Sequence, residues 1–214
     1  HSLDTPVSMS NPIQNPEKKP LPPFRADRTE WCFRLVVLLL LCLIFIPFVG
    51  SFGLWDPWET HYGEVGRQLL ERGDWISTWW GGHWRDGNGA QEGRYFFSKP
   101  ILLMWMMGMG MQLFGVSELG VRAGVALIVI FATFMIYVMG REVFSRRTGV
   151  LMALVTATSP FWAMLGRQSQ TDMPYVGTMT TGMAFLMMAI FGRRREEAAT
   201  LFDKLFMLGA WMLC

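Results

Sequence analysis

Residues 101–114 read ILLMWMMGMGMQLF, apolar on every side of a helix yet only 14 residues long. A helix needs about 20 apolar residues to cross a hydrocarbon core of roughly 30 Å, so length alone makes this segment a re-entrant or interfacial helix rather than a crossing. Its neighbours have the missing length. Positions 35–55 form a run without a charged side chain, and apolar stretches follow at about 119–140, 149–166 and 173–191. A further apolar run begins near 205 and continues to the end at 214, as expected for the N-terminal part of a longer polytopic protein.

Positive charge chooses between the two topologies. If 101–114 crosses, Arg141, Arg146, Arg147, Arg193, Arg194, Arg195 and Lys204 all lie outside. If it does not, these seven join the basic tail (Lys18, Lys19, Arg25, Arg28, Arg34) on the cytoplasmic side, leaving Arg167 in a short outer loop. The positive-inside rule selects the second arrangement. The expected fold class is therefore an all-α polytopic membrane protein whose first outer loop, 56–118, carries interfacial helices at 58–72 and 100–114. The turn from Arg167 to Met173 faces the same side.

Composition agrees. Of 214 residues, 51% are hydrophobic and 17% charged, below the quarter of charged residues usual in soluble domains, while 14% are aromatic, which excludes a disordered chain. A net charge of +2 gives no footprint for nucleic acid. Three cysteines imply no disulfide framework. Six prolines among polar residues in 1–29 make the N-terminal region, 1–33 as a unit, a disordered cytoplasmic tail ahead of the membrane domain 34–214.

Within the outer loop, Trp58, Tyr62, Val65, Leu69 and Leu70 share one face of an amphipathic helix. Asp56 reads as its N-cap, Pro57 as its first residue and Gly73 as its C-terminal stop. Residues 75–95, with four tryptophans, Tyr95 and five glycines, read as an interfacial, partly mobile loop.

Three groups could carry chemistry. Asp56, Glu59, His61 and Glu64 stand just outside the first span, where carboxylates can hold a divalent ion, orient a hydroxyl or accept a proton. Asp56 and Glu59 equally have the spacing of a capping box. Arg167, Gln170 and Asp172 lie in the second outer turn, where Asp172 could instead cap the helix that follows. Lys99, with Arg94 nearby, precedes the short apolar helix opened by Pro100, a place where a cation and exposed amides suit phosphate, or where a lysine snorkels to headgroups. His61 and His83 are too isolated to suggest zinc, and the methionines from Met104 to Met111 suit packing.

In order, WDPWETHYGEVGRQLLERGDW (55–75), FFSKP (96–100), LFG (113–115), SELGVRAGVAL (117–127), GREVFSRRTGVLMALVTATSP (140–160) and RQSQTDMP (167–174) resemble bacterial membrane glycosyltransferases. These are the aminoarabinose lipid A transferase and dolichyl-phosphate-mannose protein mannosyltransferase superfamily, of the C-type glycosyltransferase fold. The resemblance covers about 35–191 and only the N-terminal portion of such an enzyme. It implies inverting transfer of a sugar from a polyprenyl-phosphate donor to a lipid or protein acceptor at the periplasmic face of the bacterial inner membrane. Glu59 matches the second acid of the family's first-loop pair; Trp58 stands where the first is expected and Asp56 lies two residues earlier, so either Asp56 or Glu59 is implied as the catalytic carboxylate. Tyr62 matches an aromatic of that motif. Lys99 matches a lysine facing donor phosphate, with Ser98 in place of the preceding glutamate. Asp172 matches an acid of the second outer loop, positioning substrate or a divalent ion, and Arg167 would join Lys99 against phosphate charge.

Two readings compete. A transporter or flippase for lipid-linked substrates would carry ionisable groups near the bilayer midplane, and the assigned spans read as uncharged inside. A non-catalytic scaffold would keep the outer loop without the chemistry.

Overall fold

The computed structural model describes residues 28–85 and 91–192. The expected Pro-rich tail up to residue 27 and the run from 205 lie outside the described residues. Among these described residues, seven helices and one hairpin follow in order: α1 Arg28–Phe45, α2 Trp58–Arg72, β1 Trp79–Arg85, β2 Gln91–Tyr95, α3 Ile101–Phe114, α4 Glu118–Val143, α5 Arg146–Thr158, α6 Pro160–Leu165 and α7 Asp172–Phe191. The expected interfacial helices at 58–72 and 100–114 are both helices, within one residue of those bounds.

Helix α4 organises the molecule, packing against α1, α3, α5 and α7. It opens on Ser117, whose hydroxyl accepts from the Gly120 amide at 3.2 Å, an N-cap that satisfies one of the orphan donors of a helix start. Small residues let its neighbours approach closely. A Cβ on Gly110 of α3 would land on the Gly120 carbonyl of α4, one on Gly124 would lie 2.7 Å from the Met106 Cβ, and one on Gly140 2.8 Å from Gly149 Cα of α5. Small-residue stripes of this kind bring helix backbones together where side-chain burial alone would hold them apart.

Among the described residues two helices, α4 and α7, are long and apolar enough to cross a membrane, and α3 is a shorter apolar helix. The expected span 35–55 is corrected. Helix α1 starts earlier, at Arg28, so 28–33 are helical, and it stops at Phe45 because Pro47 cannot continue the backbone ladder; turns then lead through 46–51. The polar start is held in place: Glu30 of α1 meets Arg141 of α4 at 2.5 Å and Arg146 of α5 at 2.7 Å, while Arg34 meets Glu142 at 3.1 Å. Val37, Leu41 and Phe45, four residues apart, form the buried stripe of α1, and Leu35, Leu39, Leu40 and Leu43 are exposed.

The expected span 149–166 is two helices, α5 and α6, separated at Ser159 by Pro160. Together they still run from one end of the bundle to the other. Arg146 at the start of α5 pairs with Glu30, whereas Arg167, just past α6, donates to the Ile44 carbonyl at the far end of α1 at 2.6 Å.

The all-α expectation is corrected by the hairpin. Trp79 pairs with Tyr95, Trp80 with Arg94 and Gly81 with Gly93 in an antiparallel register, with an irregularity before Arg85–Gln91. The stretch read as an interfacial loop thus has strand structure at 79–85 and 91–95, where the consecutive Trp79 and Trp80 fall on opposite faces of the ladder and aromatic residues favour a strand. Trp79 meets Tyr95 edge-on at 5.2 Å between centroids across the ladder.

Substituting Gly110→Ala should destabilise the bundle by about 1–3 kcal/mol, the usual cost of overpacking, because the new methyl meets helix backbone rather than a movable side chain. Gly53→Ala, with nothing within 4 Å of the added Cβ, should be close to neutral. Thermal unfolding of both variants in detergent checks the pair.

Candidate functional site: a buried ion pair beneath an acidic rim

Glu59 lies in the first turn of α2 and is 0% exposed, as is Arg122, in the second turn of α4. Arg122 Nε donates to Glu59 Oε1 at 2.9 Å and Nη2 to Oε2 at 2.6 Å, a bidentate pair. The remaining guanidinium protons reach the carbonyls of Val49 (2.9 Å), Phe52 (2.7 Å) and Gly53 (2.9 Å). All five donors of Arg122 are therefore used. Glu59 is equally occupied: Oε1 also accepts from the Ser169 amide at 2.6 Å and Oε2 from the Trp55 amide at 2.8 Å. The Phe52 ring lies 3.9 Å from the guanidinium carbon.

This pair joins four separate segments: the turns after α1, the start of α2, α4, and the turn between α6 and α7. Ser169 adds a second tie, its hydroxyl donating to the Val121 carbonyl at 2.6 Å. Residues 55–59 and 167–172, far apart in sequence, are thereby held at one end of the bundle, and the ion network of Glu30, Arg141 and Arg146 marks the other end. Arg122 is the residue that sequence reasoning missed. The spans read as uncharged inside; Arg122 corrects that, and its signal was available as a lone arginine within the apolar stretch 119–140.

Burial raises the proton affinity of the Glu59 carboxyl, but the hydrogen bonds from Arg122 and from the Ser169 and Trp55 amides outweigh it and hold Glu59 below the ordinary carboxylate value. No lone-pair direction is left for an acceptor.

Asp56 is exposed, and its Oδ1 accepts from the Thr60 hydroxyl at 2.8 Å. It is not the expected N-cap. Pro57 occupies the cap position and no side chain caps the amides, while Glu59 reaches back to the Trp55 amide, one residue earlier than a capping box requires. Asp172 is exposed in the first turn of α7, with Thr171 at the cap and no capping side chain; there it faces the positive end of the helix macrodipole. Gly73 ends α2 in the left-handed region at φ 65°, as expected.

Lys99 is exposed and precedes α3, whose cap position is Pro100 with no side chain on its first amides. Arg94 is exposed on β2, 5.8 Å from the Trp80 ring. Tyr62, an expected substrate contact, is buried at 3% exposure, packing on Trp58 at 6.2 Å and Phe96 at 6.3 Å. His61, read as too isolated to suggest zinc, is stacked on Trp80 at 4.7 Å and set against Phe96 at 5.0 Å. Burial, and then the charge of Arg94, lower its pKa and favour the neutral imidazole. This cluster docks the hairpin on α2. Among the described residues, no three His, Cys, Asp or Glu side chains gather closely enough to hold a metal ion.

Removing one partner of a buried pair leaves an uncompensated charge, so Arg122→Leu should cost about 3–5 kcal/mol, and Glu59→Leu combined with Arg122→Leu should recover part of that loss. Because the folded-state pKa of Glu59 is depressed, its contribution is complete above the unfolded carboxylate pKa and is lost as pH falls through the folded value. Thermal unfolding from pH 7 downward should show a loss of stability that Glu59→Gln, already lacking the charge, does not share.

Residues 98–214, more than half of the chain, match the family model "dolichyl-phosphate-mannose-protein mannosyltransferase". An undecaprenyl phosphate-alpha-4-amino-4-deoxy-L-arabinose arabinosyl transferase of Edwardsiella ictaluri is 31% identical over 71% of this chain and 25% of its own length. The protein of the same name from Pseudomonas aeruginosa (strain LESB58) is 25% identical over 79% of this chain and 29% of its own. The crystal structure of ArnT from Cupriavidus metallidurans bound to undecaprenyl phosphate matches 87% of this chain and 31% of that one, with a TM-score of 0.68 and 24% identity; its apo form gives 0.67. The chain thus spans between a quarter and a third of each of these relatives. Because that family model covers more than half of its residues, the chain belongs to the dolichyl-phosphate-mannose-protein mannosyltransferase family.

Proposed function

We propose that this chain is the N-terminal part of a polyprenyl-phosphate-dependent glycosyltransferase, working at the periplasmic face of the bacterial inner membrane. The observation that carries the reading is the Glu59–Arg122–Ser169 junction, which holds the segments bearing Asp56 and Asp172 at the same end of the bundle. In this reading α1, α4, the α5–α6 pair and α7 cross the bilayer. The exposed leucines of α1 face lipid, and the arginines near Glu30 lie on the cytoplasmic side. Helices α2 and α3 and the hairpin then cover the outer rim. The curated relatives are named for transfer of an aminoarabinose from undecaprenyl phosphate, which supports a donor of that class.

Lys99, at the uncapped start of α3, meets the donor phosphate with a point charge beside free amides. Asp56 is the base. The acceptor hydroxyl attacks the anomeric carbon from the face opposite the phosphate, its proton passes to Asp56, the bond from the anomeric carbon to the phosphate oxygen breaks, and polyprenyl phosphate leaves with its electron pair. Inversion follows from the in-line displacement. Lys99 and Arg167 offset the charge that develops on the leaving phosphate, a role such cations fill best when fixed beforehand. Glu59 acts as a positioning residue through the backbone that carries Asp56. Asp172 positions the acceptor from the second turn. Tyr62 and Arg94 support the rim, the first from within the α2 packing and the second from the hairpin.

In membranes expressing the whole gene product, Asp56→Asn should lower kcat about 10²–10⁴-fold with little change in thermal stability. Lys99→Ala should raise the KM for the lipid-linked donor about tenfold or more, as loss of a charge-assisted contact does. Sugar transfer at normal rates in both variants would end the proposal.

A further inference from the structure

Threonine inside a helix has a standing use for its hydroxyl, which bonds back to a backbone carbonyl three or four residues earlier. Five threonines of the described helices follow this habit. Thr133, Thr156, Thr158, Thr178 and Thr181 donate to the carbonyls of Val129, Met152, Leu154, Pro174 and Gly177, each four residues back, at 2.7–2.8 Å. Thr60, in the first turn of α2, departs from them. Its hydroxyl donates at 2.8 Å to the side chain of the residue four back, Asp56 Oδ1, and stands 3.1 Å from the Pro57 carbonyl. That carbonyl is the longer contact and already accepts from the His61 amide at 3.1 Å. A hydroxyl has one proton to give, and here the carboxylate takes it.

The consequence lies in what an exposed aspartate lacks. Its side chain can turn between staggered wells, whereas a base must stand within about 2.6–3.2 Å of the proton it removes. The Glu59 bond to the Trp55 amide fixes the backbone next to Asp56 but not the Asp56 carboxylate. Among the described residues, Thr60 is the side chain that does. It is β-branched and rooted in a helix, so its hydroxyl has few positions to choose from. It engages Oδ1 and leaves Oδ2 open. Thr60 also lines a cleft of about 290 Å³ walled by α2, the end of α3 and the start of α4. The Asp56–Thr60 pair therefore stands at the edge of a space open to substrate.

We propose that Thr60 is a positioning residue for proton transfer, holding Asp56 Oδ1 so that Oδ2 faces the acceptor hydroxyl. The inference rests on the reading of Asp56 as the base. In the step, the acceptor O–H bond breaks, its proton passes to Oδ2, and the oxygen forms its bond to the anomeric carbon as the bond to the phosphate oxygen breaks. The Thr60 proton stays on Thr60 throughout. Once Asp56 is neutral it is the weaker acceptor, and the Thr60 hydroxyl turns to the Pro57 carbonyl. One rotation of a hydroxyl serves both protonation states.

The test is sugar transfer in membranes expressing the whole gene product. Undecaprenyl phosphate-linked aminoarabinose and undecaprenyl phosphate-linked mannose are supplied as donors, a lipid A precursor and the membrane's own proteins are the acceptors, and variants are compared on whichever donor the wild type uses. Thr60→Val keeps the branched shape and removes the hydroxyl; it should lower kcat about tenfold or more with KM for the donor unchanged, as loss of orientation alone does. Thr60→Ser, which keeps the donor, should retain most of the kcat. In an Asp56→Asn background Thr60→Val should cause no further loss, because a residue that acts through Asp56 then has nothing left to position. Full kcat in Thr60→Val, no rescue by serine, or the same loss in both backgrounds would overturn the proposal and leave Asp56 standing as the base. Full kcat in Asp56→Asn would overturn both, and no transfer by the wild type from either donor would remove the transferase reading and this inference with it.

Discussion

A carboxylate and a guanidinium, both shut away from water, set the terms for this structure. Removing two charges from solvent costs several kcal/mol each, and the cost is met only when every remaining donor and acceptor is satisfied. Glu59 and Arg122 meet that condition, with five donors spent on one side and four acceptor directions on the other. The requirement is what makes the pair specific. Carbonyls at 49, 52 and 53 and amides at 55 and 169 must all be in position at once, so the loop geometry around the rim is tied to the ion pair rather than to local turn preference.

The same arithmetic separates residues that hold the site from residues that can act in it. A side chain whose partners are complete changes its protonation only by breaking structure, and the depressed pKa of Glu59 expresses this. Asp56, three residues earlier and exposed, keeps one hydroxyl partner and the rest of its carboxylate free for solvent or substrate. The two acids look interchangeable in sequence. Burial divides their labour.

The legibility of the sequence follows from where its information is local. Helix α2 was readable because its apolar residues recur at helical spacing and Gly73 ends it; α3 was readable from its length and composition. The break at Ser159–Pro160 and the early end of α1 before Pro47 were written in the prolines but overridden by an expectation of continuous spans. The hairpin was hidden by its glycines, which suggest a loop, although Trp79 and Trp80 alternate across the strand against Tyr95 and Arg94. Arg122 is different in kind. Its partners come from positions up to 73 residues away, and no window of sequence contains them.

The glycines of α3, α4 and α5 explain why so short a helix as α3 is part of the bundle. With 14 residues it has few side chains to bury, and close approach of its backbone to α4 at Gly110 and Gly124 replaces side-chain interdigitation with direct contact. That contact falls in the first two turns of α4, on either side of Arg122. Any shift of α3 along α4 would therefore move the helix that carries the guanidinium. The rim, the short apolar helix and the buried pair are one mechanical unit, and Lys99 is placed by the same packing that places Glu59.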